Sequence, residues 1–312
     1  MQCNKCGKPA VYVRPYSGEP LCSSCFIKNI IDRVRRTINK FSMFKLDDKI
    51  AVGVSGGKDS IVLLHILSEI EKKYPETEIF AININELAGE YSKITQQIIK
   101  ENIEKLEIPL ISYTFKEIFG ITLDELVLKI KDSKLTPCAY CGVMKRSALN
   151  WLAKKHNATV IATGHNLNDQ AQTIIMNFLR GDAHHLARIG PKLTYKHENF
   201  IPRVKPLFEI PEYEIELFAK FKGIKYQQEK CPYSSEAMRN DIRYFIDSME
   251  EKRPGTMFAI LRTFLQIHPH IQNIGKKRPL NKCKICGAPT SGEICKTCQL
   301  LSQINVRSKI KY

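Results

Sequence analysis

Apolar residues recur at helical spacing through 26–46, where Ile27, Ile30, Ile31, Val34 and Ile38 define one face of a helix studded with Arg33, Arg35, Arg36 and Lys40. Beyond it the pattern switches repeatedly between strand-like and helix-like runs. Lys49–Val54 alternates as a strand and runs into a glycine-rich loop. Ser60–Tyr74 reads as a helix with Ile61, Leu64, Leu67 and Ile70 on one side and Pro75 ending it. Strands follow at Glu78–Ile84, Leu110–Phe115 and Thr159–Thr163. Helices are predicted at Tyr91–Leu106, Leu123–Lys131, 143–155 and Asp169–Leu179, the last closed by Gly181. This alternation predicts an α/β fold built on a doubly wound parallel sheet. Ligands of such sheets lie beyond the carboxyl ends of the strands, where the glycine loop and the turn Gly164-His165-Asn166 both fall. Residues 182–210 read as irregular with a strand near Ile201–Leu207, followed by helices at 211–223, Arg239–Met249 and Thr256–Gln266.

The cysteines change this picture, because all eleven are grouped. Cys3, Cys6, Cys22 and Cys25 form two CxxC pairs, and so do Cys283, Cys286, Cys295 and Cys298. Each CxxC makes a tight turn that aims two thiolates at one ion, so each block has the spacing of a zinc ribbon. A segment this small owns no core, and the metal supplies its folding energy. The resulting organisation is an N-terminal zinc ribbon over 1–26, a linker helix over 27–46 and an α/β domain over 47–210 that carries the glycine-rich loop. A helical extension over 211–278 carries Cys231, and a C-terminal zinc ribbon occupies 279–312.

Cys138, Cys141 and Cys231 remain. The first two are expected just before the helix at 143–155, and Cys231 follows 90 residues after Cys141. Three thiolates are one short of a closed site. They fit an iron–sulfur cluster with one iron free, a persulfide and disulfide relay, a zinc site with an open position, or unrelated thiols.

Ser55-Gly56-Gly57-Lys58-Asp59-Ser60 must turn the chain from a buried strand into a helix. Gly56 and Gly57 permit positive φ and bring backbone N–H groups close to an anion, and the helix adds its positive end. Lys58 supplies charge, Ser55 and Ser60 supply hydroxyls, and Asp59 holds magnesium or orients the loop. The spacing differs from a Walker loop. The expected nucleotide contacts also include Gly53 and Val54 at the strand end, Asn83 on the second strand, and Gly164 and His165 in the later turn. His184-His185 reads as a surface pair.

The formal charge is +16, and two four-thiolate zinc sites would leave about +12. Such a surface favours a polyanionic partner. Met1-Gln2-Cys3-Asn4-Lys5-Cys6 has no apolar signal region, and no stretch approaches the roughly 18 apolar residues of a membrane span, so a cytoplasmic protein without a membrane partner is expected.

These motifs together resemble the archaeal and eukaryotic cytoplasmic tRNA 2-thiolation enzymes, PP-loop proteins that make 2-thiouridine. The resemblance rests on the N-terminal cysteine block, Ser55–Ser60, CAYCGVMKR over Cys138–Arg146, Leu149-Asn150, TGHNLNDQAQTIIMNFLRGD over Thr163–Asp182, Cys231-Pro232, and CKICGAPTSGEIC from Cys283. It implies that ATP adenylates uracil O2 with release of pyrophosphate, and that sulfide then displaces AMP at C2. It also implies that Cys138, Cys141 and Cys231 hold a 4Fe–4S cluster with one open iron, or a 3Fe–4S form. Lys145 and Asp169 become catalytic, magnesium accompanies ATP, and tRNA is the substrate. The sulfur comes from free sulfide or a ubiquitin-like carrier protein. Tyr12, Arg14, Tyr16 and the basic helix are candidate RNA contacts, and a homodimer with packed ends is a further expectation. Two segments depart from the family pattern: Asn168-Asp169 replaces paired aspartates, and Asn85–Tyr91 replaces an Asp-Glu-Gly-Ile segment followed by Gly-Tyr-Arg. A cytidine 2-thiolase, an amide-forming ligase, or a tRNA-binding protein without catalysis are the competing readings.

Overall fold

A computed structural model describes residues 1–72, 74, 76–131, 133, 135–234, 237–272, 274 and 280–312. Pro75 and the 278/279 boundary lie outside the described residues. Six strands form the central sheet in the order Leu110–Thr114, Glu78–Asn85, Lys49–Val54, Val160–Ala162, Arg203–Val204, Lys192–Leu193. The first five run parallel, and Lys192–Leu193 pairs antiparallel at the edge. That one edge strand corrects the fully parallel sheet expected, and the strand near Ile201–Leu207 shrinks to Arg203–Val204.

The central strand Lys49–Val54 is buried on both faces because helices cover both. One face packs helices Ser23–Lys40, Lys58–Glu71 and Glu212–Lys222. The other packs helices Leu123–Lys129 and Pro137–Lys155 together with the C-terminal cysteine block. Val54 pairs with Asn83 and Ala162 pairs with Val204, so the loops after these strands meet at one carboxyl edge. Among the described residues no helix is long and apolar enough to cross a membrane.

Helix Ser23–Lys40 buries Phe26, Ile30, Ile31, Val34 and Ile38 in the first of these cores. Its partner helix contributes Glu214, a fully buried carboxylate. Glu214 accepts hydrogen bonds from Arg14 Nε at 2.7 Å and Tyr16 OH at 3.3 Å, and also pairs with Arg33. Arg14 bonds Glu19 at 2.6 Å and Asn29 at 2.8 Å as well. Two guanidiniums satisfy the one carboxylate, as a buried charge requires. Arg14 and Tyr16, expected to face RNA, therefore point inward and clamp the N-terminal block to the α/β core, with Tyr12 packed against Phe26.

Helix Pro137–Lys155 starts six residues earlier than expected. Thr136 caps it by accepting from Ala139 N–H at 3.3 Å, and Pro137 occupies the first turn, where a missing N–H is harmless. Cys138 and Cys141 thus sit inside the helix, one turn apart on the same face, rather than before it.

All eleven cysteines are free of disulfides. In each four-cysteine block the sulfurs lie within 4.8 Å of one another, as one shared ion requires. Gly7 and Gly287 take φ +72° and +75°, and their N–H groups close each knuckle onto the Cys3 and Cys283 carbonyls at 2.9 Å.

Candidate active site

The glycine loop folds around Ser60. Its hydroxyl donates to the Gly57 carbonyl at 2.9 Å and accepts from Ser55 N–H at 3.1 Å. Gly56 has φ +79°, and a Cβ there would stand 2.5 Å from Thr95 Cγ2. Gly57 is extended, at φ −71°, so only Gly56 needs the left-handed freedom expected of both. Gly57 caps helix Lys58–Glu71 with no side-chain hydrogen bond, which leaves first-turn N–H groups free for an anion. Gly164 has a different role: a Cβ there would meet the Asp59 carbonyl carbon at 2.8 Å and Ser60 N at 2.9 Å. Only a bare Cα lets the turn after the fourth strand press against this helix end.

A cavity of about 590 Å³ opens at this edge. Gly53, Val54, Ser55, Gly57, Asp59, Ser60, Lys145, Gly164, His165 and Asp169 line it, which brings ten predicted residues to one place. Others serve elsewhere. Lys58 turns away to Asp59 at 3.1 Å and Glu212 at 3.2 Å. Burial pulls its pKa down, but those carboxylates outweigh it and leave it raised. Asn83 is buried, donating to Val54 O at 2.9 Å and accepting from Ser112 Oγ at 3.0 Å, so its amide links strands.

Asp169 has two sets of contacts. It completes a capping box with Asn166, with bonds of 3.0 and 3.1 Å, and it also faces the cavity near Arg239. Burial raises its pKa against the pull of the Asn166 N–H and Arg239. Asp59 is raised likewise by burial, against Lys58, and accepts from Asn166 Nδ2 at 3.2 Å.

Sequence reasoning missed the cavity's cations: Arg146, Arg188, Arg203, Lys205 and Arg239. A signal was present in Arg203-Val204-Lys205, where buried Val204 separates two residues that reach the cavity. Arg203 donates to Arg146 O at 2.8 Å, and Lys205 to Gln170 Oε1 at 2.9 Å. Burial lowers Arg203 to about 10 and Lys205 to about 8. His165 bonds Thr163 Oγ1 at 2.9 Å and is held well below the usual imidazole range by burial and then by Lys205 and three arginines. The site is thus built to receive negative charge, with a neutral imidazole among cations.

Lys145 pairs with Glu86. Burial pushes the Lys145 ammonium down while Cys231 pulls it up, and Lys145 lines the cavity one helical turn after Cys141. The Cys141 thiol is pushed up to about 12 by burial and by Cys231 and Cys138. The Cys231 segment arrives through Gln227, whose N–H bonds Gly56 O at 2.9 Å and whose side chain reaches Thr95 Oγ1 at 3.2 Å. The three sulfurs are not drawn together within 4.8 Å as in the four-cysteine blocks.

A family model described as a PP-loop domain matches residues 29–249, and one described as the N-terminal LIM domain of the 2-thiouridine synthetase TtuA matches residues 2–27. The chain is 37% identical over 302 residues to a probable sulfurtransferase of Methanocaldococcus jannaschii, covering 96% of this chain and 87% of that one. It is 36% identical to the tRNA 2-thiolation protein NcsA of Haloferax volcanii, over 97% of this chain and 99% of that one. A solved structure of the U34-tRNA thiolase NcsA from Methanococcus maripaludis, with its 4Fe–4S cluster, superposes with a TM-score of 0.87 at 35% identity, covering 100% of this chain and 99% of that one.

Proposed function

We propose that this chain, which belongs to the PP-loop family of tRNA 2-thiolation proteins, is an ATP-dependent tRNA sulfurtransferase that makes 2-thiouridine. The observation that carries this reading is one cationic cavity bounded by a glycine loop, with Lys145 in its lining one helical turn after Cys141, a cysteine outside the closed zinc-type blocks.

The phosphates of ATP lie on the free N–H groups of the first turn after Gly57, with Arg203 and Lys205 neutralising charge. Asp59 offers the oxygen donors that magnesium prefers. The N3 proton of the target uracil passes to Asp169, whose carboxyl is raised above the ordinary carboxylate range by burial. Uracil O2 then attacks the α phosphorus, and the bond to pyrophosphate breaks. Hydrosulfide adds to C2, AMP leaves with the O2 atom and its bonding electrons, and the S–H proton returns to N3. Lys145 stabilises the negative charge that develops on this side.

Cys138, Cys141 and Cys231 fit an iron–sulfur cluster better than a single ion, since their donors are all thiols and their spacing is looser than in the four-cysteine blocks. When bound, such a cluster leaves one iron open to hold sulfide. The two four-cysteine blocks would each hold a structural zinc. The protein acts in the cytoplasm.

The test is ATP–pyrophosphate exchange with and without tRNA, together with the nucleoside profile of tRNA from cells with and without the protein. Exchange that needs tRNA and loss of 2-thiouridine support the reading. RNA-independent exchange points to an amide-forming ligase, loss of 2-thiocytidine to a cytidine 2-thiolase, and tRNA binding without ATP turnover to a protein that has lost catalysis.

A further inference from the structure

We infer that Tyr233 and Asp124 form a latch that positions Cys231 against the helix carrying Cys138 and Cys141. Its functional meaning rests on the three-cysteine reading above. The Tyr233 hydroxyl donates to Asp124 Oδ1 at 2.6 Å, a short bond of the charge-assisted kind. The second oxygen, Asp124 Oδ2, accepts the Gly89 N–H at 3.1 Å. The Tyr233 carbonyl accepts the Cys138 thiol at 3.4 Å, and the Ser234 N–H closes a turn onto the Cys231 carbonyl at 3.0 Å. One tyrosine two residues past Cys231 therefore joins its loop to Asp124 by the side chain and, while the Cys138 thiol is protonated, to Cys138 by the main chain.

Asp124 is a firm anchor. Helix Leu123–Lys129 is closed by a capping box between Thr122 and Glu125, and it buries Leu123 and Leu126. Its Leu123 N–H bonds the Glu86 carbonyl at 2.8 Å, and the Glu86 side chain pairs with Lys145. The segment that departs from the family pattern, Asn85–Tyr91, is thus held between Lys145 on one side and the Cys231 latch on the other. The flanking Pro232 and Ser234 are both exposed. Without the latch, Cys231 keeps the packing of its own and the Tyr233 side chain but loses the side-chain hydrogen bond that sets its loop against two thiols one helical turn apart.

The test uses the full-length, zinc-loaded chain with Tyr233→Phe, Asp124→Ala and the double variant. Alanine removes both acceptor oxygens, whereas asparagine could keep the link by donating its amide N–H to the Tyr233 hydroxyl. After anaerobic cluster reconstitution, each variant should lose iron to a chelator about tenfold faster than the parent chain, as removal of a ligand's supporting hydrogen bond does. The double variant should be no faster than the singles, because all three remove the same bond. Iron loss at the parent rate, or additive effects, overturns the latch.

A second measurement needs no cluster. In the iron-free chain, iodoacetamide labelling of Cys231 relative to Cys141 should rise several-fold in the variants. Equal rises at both cysteines signal general loosening and overturn the latch. If the parent chain takes up no iron, the cluster reading falls, and the labelling ratio still decides the latch.

Discussion

The four-cysteine blocks draw every ligand from one short stretch, Cys3–Cys25 or Cys283–Cys298, whereas Cys138 and Cys141 wait on a helix for Cys231 to come from another segment. In the blocks the knuckle turns at Gly7 and Gly287 aim the thiols from within their own short segment. The Cys231 loop reaches the Cys138 helix with Gln227 tied to Gly56 and Tyr233 to Asp124, and with Cys231 and Tyr233 packed on the core that this helix shares. A locally encoded site is bound up with the stability of its own segment. A site assembled by the fold depends on the whole sheet, and it stands beside the cavity where chemistry can use it.

The sharpest way to break this comparison is Cys231→Ser. It should abolish 2-thiouridine formation and cluster uptake while leaving two zinc ions per chain, read by metal analysis and tRNA nucleoside mass spectrometry. Retained iron, or lost zinc, would erase the distinction between the two kinds of site. Next in size is Gly164→Ala, whose Cβ meets the Asp59 backbone at 2.8 Å. Moving the loop against the helix end by even about 1 Å should lower tRNA-dependent ATP–pyrophosphate exchange about 100-fold, with both four-cysteine blocks intact.

A smaller effect concerns charge. Lys205 is lowered to about 8 by burial, so its ammonium is lost as pH rises through that value. The sign follows: the KM for ATP should rise between pH 7 and 9, by about tenfold at most, and Lys205→Arg should flatten the rise. The least expected effect separates the two blocks from each other. Cys283, Cys286, Cys295 and Cys298 are all buried, while Cys6 is exposed. Timed chelation followed by native mass spectrometry should therefore show the N-terminal zinc leaving a few-fold faster.

Much of the fold was legible because its signals are local. The glycine loop, the strand–helix alternation and the CxxC knuckles each depend on neighbouring residues, and the structure places the glycine loop at the carboxyl edge the pattern implied. The start of helix Pro137–Lys155 was missed because its signal is the Thr136–Pro137 cap rather than apolar spacing. Arg14 was misread because its partner, Glu214, lies 200 positions away. Charge alone cannot tell a guanidinium that faces RNA from one that clamps a buried carboxylate.

The sequence by itself determined which residues could bind metal, where the nucleotide loop lies, and which side of the sheet it serves. All of these follow from backbone conformation and short-range spacing. Only the tertiary structure decided that Arg146, Arg203 and Lys205 line the same cavity, that Lys58 turns away to Glu212, and that Cys231 is brought to the Cys138–Cys141 helix. Those outcomes depend on loops closing over long separations, which no local pattern encodes.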